Sequence, residues 1–196
     1  MDIIISGVGI VVCGPLMLVC AAMIKAEDGG SVFFRQLRAT KGGELFNVYK
    51  FRTMKEQNSV NRSVTSDDDR ITKIGKYLRK FRIDELPQLI NIFKGEMSVI
   101  GPRPALWNQF DLIEERDKYN ANGVRPGLTG LAQISGRDEL EIPIKAKLDG
   151  EYVNKMSFIF DCKCFLKTIK SVLKSEGFVE GNTDENKEKL EIKNNA

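Results

Sequence analysis

Residues 79–104 read RKFRIDELPQLINIFKGEMSVIGPRP, and the reading of this stretch decides how the chain is built. Apolar residues from Leu86 to Phe93, with Pro87 where a first helical turn tolerates it, predict a helix over 86–93. Asp84 and Glu85 then fall at a helix N-terminus, where unpaired N–H groups and partial positive charge favour anions. Upstream, residues 70–83 carry Arg70, Lys73, Lys76, Arg79, Lys80 and Arg82 and no acid. Ile71, Ile74, Leu78 and Phe81 recur there at helical spacing, which predicts a short basic amphipathic helix. Two adjacent carboxylates placed where cations converge suit an anionic, phosphorylated substrate. They suit a helix cap and salt-bridge partner as well, and local physics leaves both readings open.

Composition narrows the chemistry. The length of 196 residues bounds the chain to one main core. A net charge of +3 is too small to argue for nucleic acid, and no nucleic-acid partner is expected. The chain has no histidine. That removes the Ser-His-Asp triad, His-ligated zinc and the usual general base near neutral pH. What is left is carboxylates, Lys, Tyr, Cys or an oxygen-held metal, which favours Mg²⁺ over zinc. Cys13, Cys20, Cys162 and Cys164 follow no metal or disulfide spacing and are expected to be reduced packing residues.

Residues 3–24 contain no charge, long enough as a helix to cross a hydrocarbon core of ~30 Å. No basic segment precedes the run, which argues against a signal peptide. Gly14-Pro15 lies at its middle, where proline removes a helix hydrogen bond and should bend or break the helix. Such a helix can span the bilayer, which its length favours, or turn back to leave both ends on one face. Lys25, Arg35, Arg38 and Lys41 after the run place the bulk of the chain in the cytoplasm.

Further along, 31–51 predicts a β-hairpin with Lys41-Gly42-Gly43 at its turn. Residues 53–69 are polar and read as an exposed loop, 106–119 as an amphipathic helix, and 157–174 as the longest helix after the first. Lys163, Lys167, Lys170 and Lys174 form a stripe on that last helix. A basic stripe is usually a solvated face; beside a membrane segment it also suits anionic lipid. The tail from 182 to 196 lacks the apolar content to pack and is expected to be disordered. Gly101-Pro102-Arg103-Pro104 and Arg125-Pro126-Gly127 are rigid turns that each present an arginine suited to phosphate. Asp67-Asp68-Asp69 contains a DxD pattern, which reads as a sugar-nucleotide metal motif or as an acidic helix cap.

Ordered matches run through the chain. They are VFFRQLRATKGGELFNVYKFRTM (32–54), DDDRITKIGKYLRKFRIDELPQLINIFKGEMSVIGPRP (67–104), VRPGLTGLAQISGR (124–137) and DCKCFLKTIKSVL (161–173). In these stretches the chain resembles the bacterial sugar transferases, monotopic phosphoglycosyl transferases that start lipid-linked glycan assembly. The resemblance implies transfer of sugar-1-phosphate from a UDP-sugar to polyprenyl (undecaprenyl) phosphate, with release of UMP. It implies Asp84 as the nucleophile that forms a phosphosugar intermediate, with Glu85 helping to bind Mg²⁺. Lys50, Arg79, Arg103, Arg125 and Arg137 match basic positions of the family motifs and are assigned phosphate contacts. It also implies a re-entrant membrane helix broken at Gly14 and Pro15. Gly14 departs from the Ser that many members carry there, and an aromatic residue common after the GR turn is absent near 139–142.

The expected architecture is α+β and mainly helical. A re-entrant membrane helix (1–24) precedes a compact catalytic domain (25–181) with a small β-hairpin and amphipathic interfacial helices, then a disordered tail (182–196). The expected location is the cytoplasmic face of the inner membrane, in contact with membrane lipid; a homodimer is left open. Two rivals stand beside this reading: a metal-dependent glycosyltransferase using the DxD, and a non-catalytic membrane scaffold.

Overall fold

The structure, a computed structural model, describes residues 1–55, 70–136 and 140–173. Helix α1, Asp2–Asp28, takes up the apolar N-terminus and runs four residues past Ile24. Gly29 ends it in a left-handed conformation (φ 71°), its N–H returning to the Lys25 carbonyl at 3.0 Å. The helix continues through Gly14-Pro15 without interruption, so the outright break expected there is not found and only a bend remains compatible with the element.

One face of α1 packs on the rest of the chain through Ser6, Cys20 and Ile24. Gly7 and Gly9 let the helix approach Phe93 and Leu89; a β-carbon on Gly9 would sit 3.3 Å from the leucine. The opposite face is bare: Ile4, Val8, Val11 and Leu18 follow one another at helical spacing and are 60–76% exposed. Both ends are tied to the same body. Asp2 accepts the backbone N–H of Val99 at 3.3 Å and meets Arg125 at 3.4 Å. At the other end Glu27 accepts the N–H groups of Lys73 and Ile74 at 2.7 and 3.2 Å, and Asp28 pairs with Arg52.

The hairpin forms as expected. Strands β1, Phe33–Ala39, and β2, Leu45–Phe51, pair antiparallel with Phe33 opposite Phe51 and Ala39 opposite Leu45. Gly42 and Gly43 turn between them at φ 72° and 82°. Alternation on β2 buries Phe46 and Val48. Helix α2, Lys73–Lys80, starts from Thr72, whose hydroxyl accepts the Gly75 N–H at 2.9 Å.

Helix α3 spans Gln88–Phe93 with Pro87 at its cap, shorter at the start than the sequence suggested. Its Asn91 is fully buried and satisfied: it accepts the Tyr49 N–H at 3.0 Å and donates to the Asn47 carbonyl and Glu96 at 2.7 Å each. This amide stitches α3 to β2.

Strands β3, Ser98–Ile100, and β4, Gly127–Thr129, pair in parallel, with α4, Phe110–Asp117, in the crossover. No strand was expected here, because three residues are too few to show a period of two. Gly101, Gly127 and Gly130 bring the two turns together backbone to backbone, where a β-carbon would collide. Helix α5, Leu131–Ile134, leads to α6, Ile142–Lys155, and α7, Phe158–Leu173, which carries the expected long helix. Helix α6 escaped the sequence reading because its buried face includes Asp149 and Gly150 beside Ala146 and Tyr152, so apolar periodicity is interrupted.

The main core gathers Phe46, Val48, Leu89, Ile92, Met97, Val99, Ile100, Tyr152 and Cys164. A second, with Cys20, Ile24, Phe51 and Leu78, joins α1 to β2 and α2. All four cysteines are free; Cys20 and Cys164 pack in these cores, while Cys162 is exposed and does not pack. Residues 56–69, including the DxD, and 174–196, including Lys174 and the tail, lie outside the described residues.

Candidate active site

The chain leaves α2 and turns sharply at Arg82, a non-glycine residue at φ 56°. Ile83–Glu85 then forms a 3₁₀ turn of its own, separated from α3 by Leu86 and Pro87. The acidic pair therefore occupies this turn rather than the first turn of α3. The αL residue is the kind of local strain that accumulates at functional sites, and the sequence carried no sign of it.

The two carboxylates sit in different environments. Glu85 is buried, with its Oε1 2.9 Å from the Lys50 ammonium on β2 and 3.6 Å from the Arg103 guanidinium. Burial by itself would raise its pKa, but Lys50, Arg103 and Arg82 together outweigh that and hold the carboxyl at about 2. Asp84 goes the other way. Burial, then the charge of Glu85, pushes it up to about 6 against the opposing pull of Lys50 and Arg79. Both carboxylates are mainly ionised at pH 7, as expected, but Asp84 is far more basic than its cationic surroundings suggested. Arg79 is steered by the Thr53 hydroxyl, which accepts from its Nε at 2.9 Å.

The fold thus brings Lys50, Arg79 and Arg103 to the pair. Arg125 is placed elsewhere: it pairs with Asp2 beside a cavity of about 420 Å³ that Tyr152 and Asp161 also line. Arg137, Asp67 and Asp69 lie outside the described residues. Gly14 and Pro15 sit mid-helix in α1. Among the described residues no cluster of three or more His, Cys, Asp or Glu side chains could cage a metal. Asp84 and Glu85 still fit Mg²⁺, which binds through one or two carboxylates and takes water and substrate phosphate oxygens for the rest.

Two cavities lie near the pair, one bordered by Glu85 and one joined to it through Arg103. One of about 230 Å³ borders Glu85, Arg82 and Gln133 and has a larger apolar share, with Phe81, Leu86, Leu128 and Phe165 in its walls. The other, about 270 Å³, has mixed walls, with Arg103, Arg116, Gln133 and Asp149 beside Pro104, Leu106 and Leu112. Sequence reading singled out none of Arg116, Gln133 and Asp149. Gln133 lay unremarked within a quoted motif, and Arg116 and Asp149 are 33 residues apart, with no local pattern to pair them.

A family model described as "Bacterial sugar transferase" matches residues 1–175. The chain is 40% identical to an "Uncharacterized sugar transferase EpsL" of Bacillus subtilis, covering 85% of this chain and 82% of that one. It is 36% identical to a "UDP-glucose:undecaprenyl-phosphate glucose-1-phosphate transferase" of Caulobacter vibrioides, over 90% of this chain and 69% of that one. It is 39% identical to a "UDP-N-acetylgalactosamine-undecaprenyl-phosphate N-acetylgalactosaminephosphotransferase" of Aeromonas hydrophila, over 90% of this chain and 44% of that one.

Proposed function

The chain belongs to the bacterial sugar transferase family, and from that membership we propose that it moves sugar-1-phosphate from a UDP-sugar to undecaprenyl phosphate. It is an enzyme of the phosphoglycosyl transferase class. The observation that carries the mechanism is the division between the two carboxylates. Lys50 and Arg103 clamp Glu85, while Asp84 keeps a pKa near 6. A carboxylate of that basicity is ionised at neutral pH yet a better nucleophile than an ordinary Asp.

In this reading an Asp84 oxygen attacks the phosphorus that bears the sugar. The bond from that phosphorus to the bridging oxygen breaks, and UMP leaves with the electron pair. A phosphate oxygen of undecaprenyl phosphate then attacks the acyl-phosphate, which frees the Asp84 carboxylate and yields the lipid diphosphate sugar. Leaving group and acceptor are already anions, so neither step needs a strong base, consistent with a chain that lacks histidine. Arg79, Arg103 and Lys50 lie where they can hold phosphate oxygens. Glu85 is assigned to Mg²⁺, which when bound would neutralise charge on the diphosphate.

The more apolar cavity beside Glu85 supports an isoprenoid acceptor, with Arg82 at its edge for the phosphate. Both ends of α1 are bonded to the catalytic body, and this supports a monotopic placement with the bare face of α1 in the cytoplasmic leaflet of the inner membrane. The experiment that tests the mechanism is Asp84→Asn in a UMP-release assay without acceptor. Loss of the single-turnover burst is expected; a retained burst would sink the assignment.

A further inference from the structure

Asp149 on α6 is 1% exposed, and Arg116 on α4 binds only one of its oxygens, donating from Nε to Oδ2 at 2.7 Å. The other oxygen, Oδ1, has no partner. Neither has either atom of the Gln133 side-chain amide, and all three atoms are buried. A buried polar atom left unsatisfied costs ~1–3 kcal/mol. Both side chains line the same cavity of about 270 Å³. At ~30 Å³ per molecule of water it has room for a ligand ring rather than one bridging solvent.

From this cavity we infer that it holds the hexose ring of the nucleotide-sugar donor, with Gln133 and Asp149 hydrogen-bonding its hydroxyls. The inference rests on the donor reading above. Arg103 connects the two places, lining this cavity while its guanidinium stands 3.6 Å from Glu85. A diphosphate held at Arg103 leads its sugar directly into this space. Arg38 and Lys145 add positive walls at the same opening.

The donor–acceptor count favours hydroxyls over a uracil edge. The orphaned atoms are two acceptors, Asp149 Oδ1 and Gln133 Oε1, and one amide donor. A uracil imide has a single N–H and satisfies one acceptor. Adjacent ring hydroxyls both donate and accept, and so satisfy all three.

The test uses Gln133→Met in the full-length, membrane-extracted enzyme, with UDP-glucose and UDP-N-acetylgalactosamine as donors and UDP as inhibitor. Expected is a fall in kcat/KM of about tenfold or more and a changed ratio between the two donors. UDP inhibition should stay within about twofold of wild type and Tm should hold or rise, because a pair of orphaned atoms has been removed. Unchanged kcat/KM would mean a cavity filled by water alone and would overturn the inference. UDP inhibition that weakens in step with kcat/KM would assign the cavity to the nucleoside and overturn it equally. Should Gln133→Met lower Tm, Gln133→Asn, which keeps the amide but withdraws it, is judged by the same outcomes. Wild-type enzyme that releases no UMP from any donor would refute the donor reading itself; active wild type with an indifferent variant refutes only the hexose site.

Discussion

At the scale of single residues, Asp84 and Glu85 show how neighbours in sequence acquire opposite properties. The Asp84 pKa is raised to about 6, above its ordinary 3.8, so folding favours its protonated form. Its contribution to stability is full below pH 4 and is lost as pH rises through 6. Asp84→Asn should therefore raise stability at pH 7 by about 2 kcal/mol while abolishing turnover; thermal unfolding at pH 7 and pH 3 checks this, with the gain nearly gone at the lower pH. Wild-type UMP release should also show an acidic limb, half-lost near pH 6 and falling about tenfold per unit below it. Glu85 behaves inversely: its carboxyl is held at about 2 against an ordinary 4.5, so its contribution is present above pH 4.5 and lost as pH falls toward 2. Removing its clamp by Lys50→Met should cost about 2–4 kcal/mol, seen as a lower urea midpoint at pH 7, and should bring down kcat/KM with it. Lys50 was legible from the motif it occupies. The basicity of Asp84 was not, because burial depends on what the rest of the chain packs around it.

At the scale of elements, α1 decides how the protein meets the bilayer. Its length and apolarity were plain from sequence, yet a sequence of that kind fits a spanning helix, which the length favours, as well as one held on a single face. The contacts of Asp2, Glu27 and Asp28 bond both ends of the helix to the rest of the chain, which supports the proposed monotopic placement. A cysteine appended ahead of Met1, in a Cys162→Ser background, should resist an impermeant maleimide on intact cells and react after lysis; labelling from outside would refute the monotopic placement. Val11→Asp with Leu18→Asp, on the bare face, should release the protein from membranes without lowering its Tm. Helix α7 has a comparable character, since Ile159 and Leu166 are 70% and 65% exposed beside the exposed Lys163 and Lys167. The lysine stripe was legible; the apolar residues left uncovered beside it were not, because periodicity does not say which apolar face finds a partner.

At the scale of the whole molecule, the GPRP and RPG turns are one structure. Gly101 and Gly127 approach backbone to backbone where parallel strands β3 and β4 meet, leaving no room for a side chain at either position. Gly127→Ala should therefore prevent stable folding rather than merely weaken binding, measurable as loss of soluble, cooperatively unfolding protein after detergent extraction. Sequence reading took these turns for two separate presenters of arginine. The fold sends those arginines to different places, Arg103 to Glu85 and Arg125 to Asp2.

By itself the sequence determined the local and compositional facts: an apolar N-terminal helix, a hairpin, basic helices, an acidic pair without histidine, and the motifs that mark the family. These follow from residue type and near-neighbour spacing, which the chain carries with it. The tertiary structure alone decided the rest. It gave Asp84 and Glu85 different pKa values, separated Arg125 from the acidic pair, and buried polar atoms of Gln133 and Asp149 beside a common cavity. Each of these depends on desolvation and on charges brought together from distant parts of the chain, and neither can be computed until the chain has closed on itself.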